Sequence, residues 1–351
     1  MSSSFSRTLA GMRSVPPTAL RAVAIGGGTG LSTLLRGLKR YVALAGTGTS
    51  ACPDGSCLLA DLAAIVTVTD DGGSSGRLRE DFNMLPPGDV RNCLVALSED
   101  EHLLSRLFQY RFGQGELQGH SLGNLFLAAL DDLCGDFAQA VQHSSQILAT
   151  RGRIYPATTD NVSLAALMDD GSHVHGETSI TASRQRIREL YLEPAEAHPV
   201  PETLEAIRQA DLISVGPGSL YTSLITNLLV RGIPEAIAAA KATRIYVCNL
   251  MTQANESLGL TASQHIQKIM DHAGHHRLFD YALINTAPIS AASLAQYARE
   301  GQAPIVADLD AVRTLGVEPI TGNFVYEGAV LRHDYDRVAE VMLQLAAKGR
   351  P

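Results

Sequence analysis

The chain has 351 residues, 45% apolar and 18% charged, with a formal net charge of -8. That acidic balance argues against a nucleic-acid coat or a basic membrane-surface protein, and no run of about eighteen apolar residues offers a membrane span. The apolar content is enough for a substantial core. The five cysteines, Cys52, Cys57, Cys93, Cys134 and Cys248, are odd in number and lack a CxxC pair, which suits reduced thiols in a cytoplasmic protein.

Residues 1–20 carry serines and arginines but no acid, the composition of a transit peptide without its amphipathic pattern, and are expected as a disordered tail. Residues 21–351 are expected as a single domain. Within it, AVAIGGGTGL at 22–31 is a short apolar strand breaking into glycines at a helix start, where backbone N–H groups converge on an anion. Gly26, Gly27, Gly28 and Gly30 admit close approach without a Cβ, and Thr29 with Ser32 or Thr33 offers hydroxyls, so a phosphate is expected there. The stretch lacks the GK[ST] of a Walker loop. Leu31 stands where the dinucleotide fingerprint has Gly or Ala, which makes an NAD-dependent oxidoreductase the weakest reading.

Residues 44–59 read as a flexible insertion. A second strand then ends in TVTDDGGSSGR at 67–77. In an open parallel sheet this loop and the first open at the same carboxyl edge and face one crevice. Asp70 and Asp71 suit either ribose hydroxyls or Mg²⁺ bridging phosphates, and Arg77 suits a bidentate anion clamp. PPGDVRNCLVALS at 86–98 places Asp89, Arg91 and Asn92 at a helix start that favours anions, with Asp89 equally suited to cap that helix. GHSLGNLFLAAL at 119–130 sets His120, Ser121 and Asn124 at the entry of an apolar helix, His120 serving either a site or the core.

Residues 153–194 change to short alternating segments with a hairpin signal at Asp170-Gly171, expected as an antiparallel extension of the main sheet. His173 and His175 share a strand face without a third ligand nearby and read as surface residues; His265, His272, His275 and His276 read as a polar helix end and loop. Parallel patterning resumes in DLISVGPGSLYTS at 211–223, where the turn Gly216-Pro217-Gly218 and Ser219, Thr222 and Ser223 make a third anion-friendly loop. RIYVC at 244–248 ends in NLMTQ, bringing Asn249, Met251, Thr252 and Gln253 to that edge, where an amide reads a base or sugar through paired donor and acceptor. YALINT at 281–286 is a further strand, and the last helix lies within 334–347. The expected fold is α/β: a Rossmann-like, doubly wound, mainly parallel sheet with helices on both faces and an antiparallel extension.

Taken in order, IGGGTGLSTLLRGLK, TVTDDGGSSGRLR, PPGDVRNCLVALS, GHSLGNL, GPGSLYTS, NLLVRGI and YVCNLMTQ resemble the gluconeogenesis-factor (YvcK-type) branch of the CofD-like superfamily. The resemblance implies a non-catalytic, cytoplasmic binder of UDP-sugars such as UDP-N-acetylglucosamine. It also implies a link to cell shape and wall-precursor supply on gluconeogenic carbon sources, no required cofactor, and a homodimer. It carries phosphate positions to Gly26, Gly27, Gly28, Thr29 and Gly30, and an acidic loop to Asp70, Asp71, Gly72, Ser74 and Arg77. Further ligand positions fall on Gly216, Gly218, Ser219, Thr222, Asn227, Asn249 and Thr252. Where the family has PNLL this chain has Ile225-Thr226-Asn227-Leu228, and where it has MTQxGET this chain has MTQANES, so Asn255 and Ser257 replace a glycine and a threonine. The sister branch is a Mg²⁺-dependent 2-phospho-lactate transferase using a nucleotide-diphosphate donor, with a PD-x-D pattern where this chain has Pro87-Gly88-Asp89-Val90-Arg91. Arginine in place of a carboxylate favours direct diphosphate binding; under the transferase reading Asp70, Asp71 and Asp89 would hold the metal.

Overall fold

The computed structural model describes residues 19–43, 58–99 and 103–349. The expected tail at 1–20 and insertion at 44–59 otherwise lie outside the described residues; their last residues, Leu20 and Leu59, already open strands β1 (Leu20–Gly26) and β2 (Leu59–Val66). Seven strands form one parallel sheet. Besides β1 and β2 they are β3 (Arg153–Pro156), β7 (Leu212–Val215), β8 (Thr243–Val247), β9 (Tyr281–Asn285) and β10 (Glu318–Gly322), in the order β10-β9-β8-β7-β1-β2-β3.

Both faces of this sheet are covered, which is why its strands read as near-continuous apolar runs. On one face Ala22 and Ala24 of β1 pack in a core with Leu31, Leu34, Leu35 and Leu38 of the helix Gly28–Leu38, a stripe at the helical period. The helices Gly88–Leu97 and Tyr335–Lys348 share that core. Val23 and Ile25 face the other way, into a core with Ile207, Ile237, Ile266 and Ile269 from the helices Pro201–Gln209, Ile233–Ala239 and Ala262–His272. Where Gly28–Leu38 crosses Tyr335–Lys348, a Cβ on Gly37 would stand 2.9 Å from the Tyr335 carbonyl carbon, so only glycine admits that approach.

The expected antiparallel extension resolves into two parts. Arg153–Pro156 is a parallel edge strand of the main sheet, and its terminal Pro156, lacking an N–H, suits an edge. The antiparallel strands β4 (Ser163–Met168), β5 (His173–His175) and β6 (Ile187–Glu193) form a separate sheet in the order β5-β4-β6. The Asp170-Gly171 turn is present, with Gly171 at φ +85° and the Ser172 N–H donating to Asp170 Oδ1 at 2.9 Å. A two-stranded ribbon of β11 (Val325–Glu327) and β12 (Leu331–His333) completes the strands. His173 and His175 sit exposed, bonded to Tyr191 and Glu193. His265 departs from expectation: it is fully buried, with Nδ1 3.2 Å from the Tyr246 hydroxyl. Among the described residues no helix is long and apolar enough to cross a membrane.

The chain leaves β1 toward β2 and later returns beside β1 as β7. The loops after β1 and β7 therefore diverge, opening a crevice at the carboxyl edge of the sheet.

Candidate functional site

That crevice is a cleft of about 550 Å³ whose walls are the loops after β1, β7 and β8. After Gly26 the chain is extended at Gly27 and turns at Gly28, φ +59°, into the helix; after Val215 it turns at Gly216, φ +85°. The two glycine loops touch. A Cβ on Gly30 would stand 2.7 Å from the Pro217 carbonyl carbon and 3.0 Å from Gly218 Cα. Asn227 ties them from behind, its Nδ2 donating to Gly26 O at 3.0 Å and to Ser223 O at 2.6 Å. The third wall is linked through Gln253, whose Nε2 donates to Ser219 Oγ at 2.9 Å and whose Oε1 accepts from Asn249 Nδ2 at 3.2 Å. Glu256 accepts from the Tyr221 N–H at 3.2 Å and the Thr222 hydroxyl at 3.1 Å, and so caps the π-helical turn Leu220–Ile225.

Of the residues expected at the site, Gly27, Gly28, Thr29, Gly30, Asp70, Asp89, Gly218, Ser219, Thr222, Asn249 and Thr252 line this cleft. Gly26 and Gly216 shape its loops from behind. Asn227 is fully buried and acts as the tie just described rather than as a lining residue.

A second group is directed elsewhere. Asp71 accepts from the Thr178 N–H at 2.8 Å and its hydroxyl at 2.6 Å, Gly72 donates to Asp70 Oδ1 at 2.9 Å, and Arg77 donates to Gln118 O at 2.8 Å. Arg91, expected to meet a diphosphate, instead donates to Ser121 at 2.6 Å, Asn124 at 3.0 Å and Asn92 at 2.8 Å. Ser74 joins the same buried network, 3.1 Å from His120 Nδ1 and accepting from Asn124 Nδ2 at 3.1 Å. This network lies beside the cleft, where it supports the helix starts.

Ser223, expected in the third anion-friendly loop, also lines the cleft, together with residues that linear reading missed: Glu177, Glu256, Tyr297, Gln302, Arg332 and His333. Glu256 was signalled by its place three residues after Gln253 in the amide loop. Glu177 had no linear signal, since it arrives from the helix Glu177–Ala182 that follows the separate antiparallel hairpin.

Four lining side chains are carboxylic acids: Asp70, Asp89, Glu177 and Glu256. Burial and then Asp70 push the Asp89 carboxyl up to about 6, against the Gly28 N–H and Arg91, which favour its charged form. Burial, followed by Asp70, Asp89, Glu256 and Asp71, pushes Glu177 to about 9. Burial also raises Glu256, offset by its bonds from Tyr221 and Thr222. His333, whose Nε2 lies 3.0 Å from Cys248 O, is lowered to about 4 by burial and is neutral at pH 7. Arg332 is then the one cation among the described lining residues. Asp89, accepting from the Gly28 N–H, already occupies part of the anion cradle. An incoming diphosphate must displace it, arrive with a cation, or meet protonated carboxyls.

The two substitutions in the amide loop are accommodated. Asn255 sits at φ +62°, the conformation a glycine would take, and asparagine tolerates it better than most residues. Ser257 keeps a hydroxyl where threonine has one, accepting from the Gln253 N–H at 3.0 Å. Both Asn255→Gly and Asn255→Val lose the bond to Thr181; glycine offsets it by relieving the left-handed backbone, for a net change of less than about 1 kcal/mol, whereas valine adds left-handed strain and is expected to lose about 2 kcal/mol. Urea midpoints at constant m-value decide this; equal midpoints for the two variants would refute it.

The profile of the family described as 2-phospho-L-lactate transferase CofD matches residues 22–325. The chain is 48% identical over 331 residues to the gluconeogenesis factor of Halalkalibacterium halodurans, covering 94% of this chain and 96% of that one. It is 44% identical over 322 residues to the gluconeogenesis factor of Bacillus subtilis, covering 91% and 96% respectively. A crystal structure of a UPF0052-family protein from Bacillus halodurans matches with a TM-score of 0.86 at 47% identity, covering 93% of this chain and 100% of that one.

Proposed function

The chain belongs to the CofD family, in its gluconeogenesis-factor branch, and from that premise we propose that its cleft binds a UDP-sugar such as UDP-N-acetylglucosamine without transforming it. In this reading the protein is a cytoplasmic regulator that ties cell shape and wall-precursor supply to growth on gluconeogenic carbon. The observation that carries the proposal is the meeting of three loops at one switch-point cleft: two glycine turns rich in backbone N–H groups and one amide loop. Gly27 to Gly30, with Gly218 and Ser219, cradle the diphosphate, Asp70 takes the ribose, and Asn249 and Thr252 read the uracil or the sugar.

A second reading, a Mg²⁺-dependent transferase acting on a nucleotide-diphosphate donor, is favoured by the cleft carboxylates. Mg²⁺ is commonly bound through one or two carboxylates plus phosphate oxygens, and Asp70 and Asp89 fit that pattern. Asp71 does not, because both of its bonds go to Thr178. Bound there, the ion would neutralise charge on the diphosphate.

Thermal unfolding against UDP-N-acetylglucosamine, UDP-glucose, GTP, GDP and NAD, each with and without Mg²⁺, separates the two. At one hundred times its dissociation constant a ligand adds about 2.7 kcal/mol, a rise of a few degrees in a chain of this length. The expected result is a shift with UDP-sugars that persists without Mg²⁺. A shift confined to guanine nucleotides with Mg²⁺ would replace the regulator by the transferase. Size-exclusion chromatography with light scattering tests the proposed homodimer.

A further inference from the structure

On the first core's side of the sheet lies a second cavity, of about 450 Å³, at the far end of the helix Gly28–Leu38. It gathers Arg36, Lys39, Arg40 and Arg106 in a chain whose net charge is -8. Arg40 is paired with Asp336 and Lys39 Nζ donates to the Ser98 carbonyl at 3.0 Å. Arg36 and Arg106 have no hydrogen-bond or ion-pair partner among the described residues, and both are exposed. Asp100 and Glu101, close to Arg106 in sequence, lie outside the described residues. Arginines at a helix C-terminus complement its dipole. Both fit that pattern, Arg36 in the last turn of Gly28–Leu38 and Arg106 in the last turn of the helix Leu103–Gln109, but the dipole does not explain why guanidiniums from two separate helices face one cavity.

We propose that this cavity is a second ligand site, for a small phosphate-bearing anion. Two guanidiniums from different elements, without partners among the described residues, give the planar, forked donors that phosphate oxygens accept bidentately, and Ser105, Gln109 and Tyr335 add neutral polar groups around them. The volume suits a metabolite. The site is physically continuous with the cleft. The helix Gly28–Leu38 runs about 12 Å from the glycine loop to Arg36. The helix Gly88–Leu97 carries Asp89 at the cleft and Val95 at the cavity, and only Asp334 separates His333 in the cleft from Tyr335 in the cavity. An anion drawn in between Arg36 and Arg106 thus bears on all three elements, a leverage that rests on the cleft being the ligand site proposed above.

Inorganic pyrophosphate is the probe. Arginine-selective labelling of the full chain at low ionic strength, read by peptide mass spectrometry, is expected to show Arg36 and Arg106 protected several-fold by pyrophosphate while exposed Arg188 is not. In calorimetry, the Arg36→Gln/Arg106→Gln variant is expected to lose at least tenfold in affinity at one class of sites, with its thermal shift by UDP-N-acetylglucosamine unchanged. Protection that is absent, or equal at Arg188, overturns the second site, as does calorimetry identical to wild type. Because the labelling reads the two arginines directly, the second site stands or falls on their protection even if the cleft binds no UDP-sugar.

Discussion

Gly30→Ala is expected to abolish the proposed UDP-sugar binding and to lower stability by about 1–3 kcal/mol, the cost typical of overpacking. The added methyl would stand 2.7 Å from the Pro217 carbonyl carbon, 3.0 Å from Gly218 Cα, and closer still to the Pro217 oxygen. All three atoms are backbone, so no side-chain rotation relieves the contact and the two loops must part. Gly28 is the instructive contrast. A Cβ there meets nothing nearer than 3.9 Å, and the obstacle is its positive φ, so Gly28→Ala is expected to cost only about 1–2 kcal/mol. Gly28→Val is expected to go further, since its branched side chain would stand at the proposed phosphate position and abolish binding. Denaturant unfolding and ligand titration of the three variants check this, and a Gly30→Ala protein with wild-type stability and affinity would refute the contact between loops as the determinant of the cleft.

Asp89→Asn is expected to stabilise the protein at neutral and alkaline pH and to leave stability unchanged below about pH 4. The Asp89 carboxyl, pushed up to about 6, binds its proton more tightly in the folded than in the unfolded chain. Between the usual carboxylate range and pH 6 the folded protein therefore holds more protons, and stability falls as pH rises through that window. The penalty reaches at most about 3 kcal/mol, and less because the side chain keeps some contact with cleft solvent. An asparagine carries no charge and its Oδ1 still accepts from the Gly28 N–H, so the gain should open between pH 4 and 6 and then hold level.

The same variant separates two ways of holding the diphosphate. Removing a negative charge within about 8 Å of another is worth about 2 kcal/mol at an effective dielectric of 20. Affinity for UDP-N-acetylglucosamine without Mg²⁺ should rise more than tenfold if the phosphates replace Asp89 in the cradle. A fall in affinity together with lost Mg²⁺ dependence would mean that Asp89 serves a cation instead. A flat difference in melting temperature across pH 4–8 would refute the charge assignment.

The glycine loops were legible because glycine is chosen for what its missing Cβ permits, and Gly28, Gly30 and Gly216 each carry that reason in φ or in close approach. The main sheet was legible because strands buried on both faces leave unbroken apolar runs. Directions of side chains were harder to read, although simple geometry constrains them. Asp89 and Arg91 are two residues apart on a helix, about 200° around its axis, so with Asp89 in the cleft Arg91 must point away, into Ser121 and Asn124. Asp70 and Asp71 are consecutive in non-helical chain, and only one of them can face the ligand. Glu177 lay beyond any local rule, because its place in the cleft depends on how a separate three-stranded sheet docks.

The position of β1 between β2 and β7 has a consequence for how the protein is made. Asn227 reaches Gly26 across 201 residues of sequence, and the Arg21 N–H reaches Asp211 across 190. At about 5–20 residues per second, ribosomal synthesis separates the two glycine loops by roughly 10–40 s. During that interval the nascent β1 can pair with β2 but presents its other edge bare, a strand edge open to wrong partners. No metabolite can template the first half of the chain, because half of the cradle has not yet been translated.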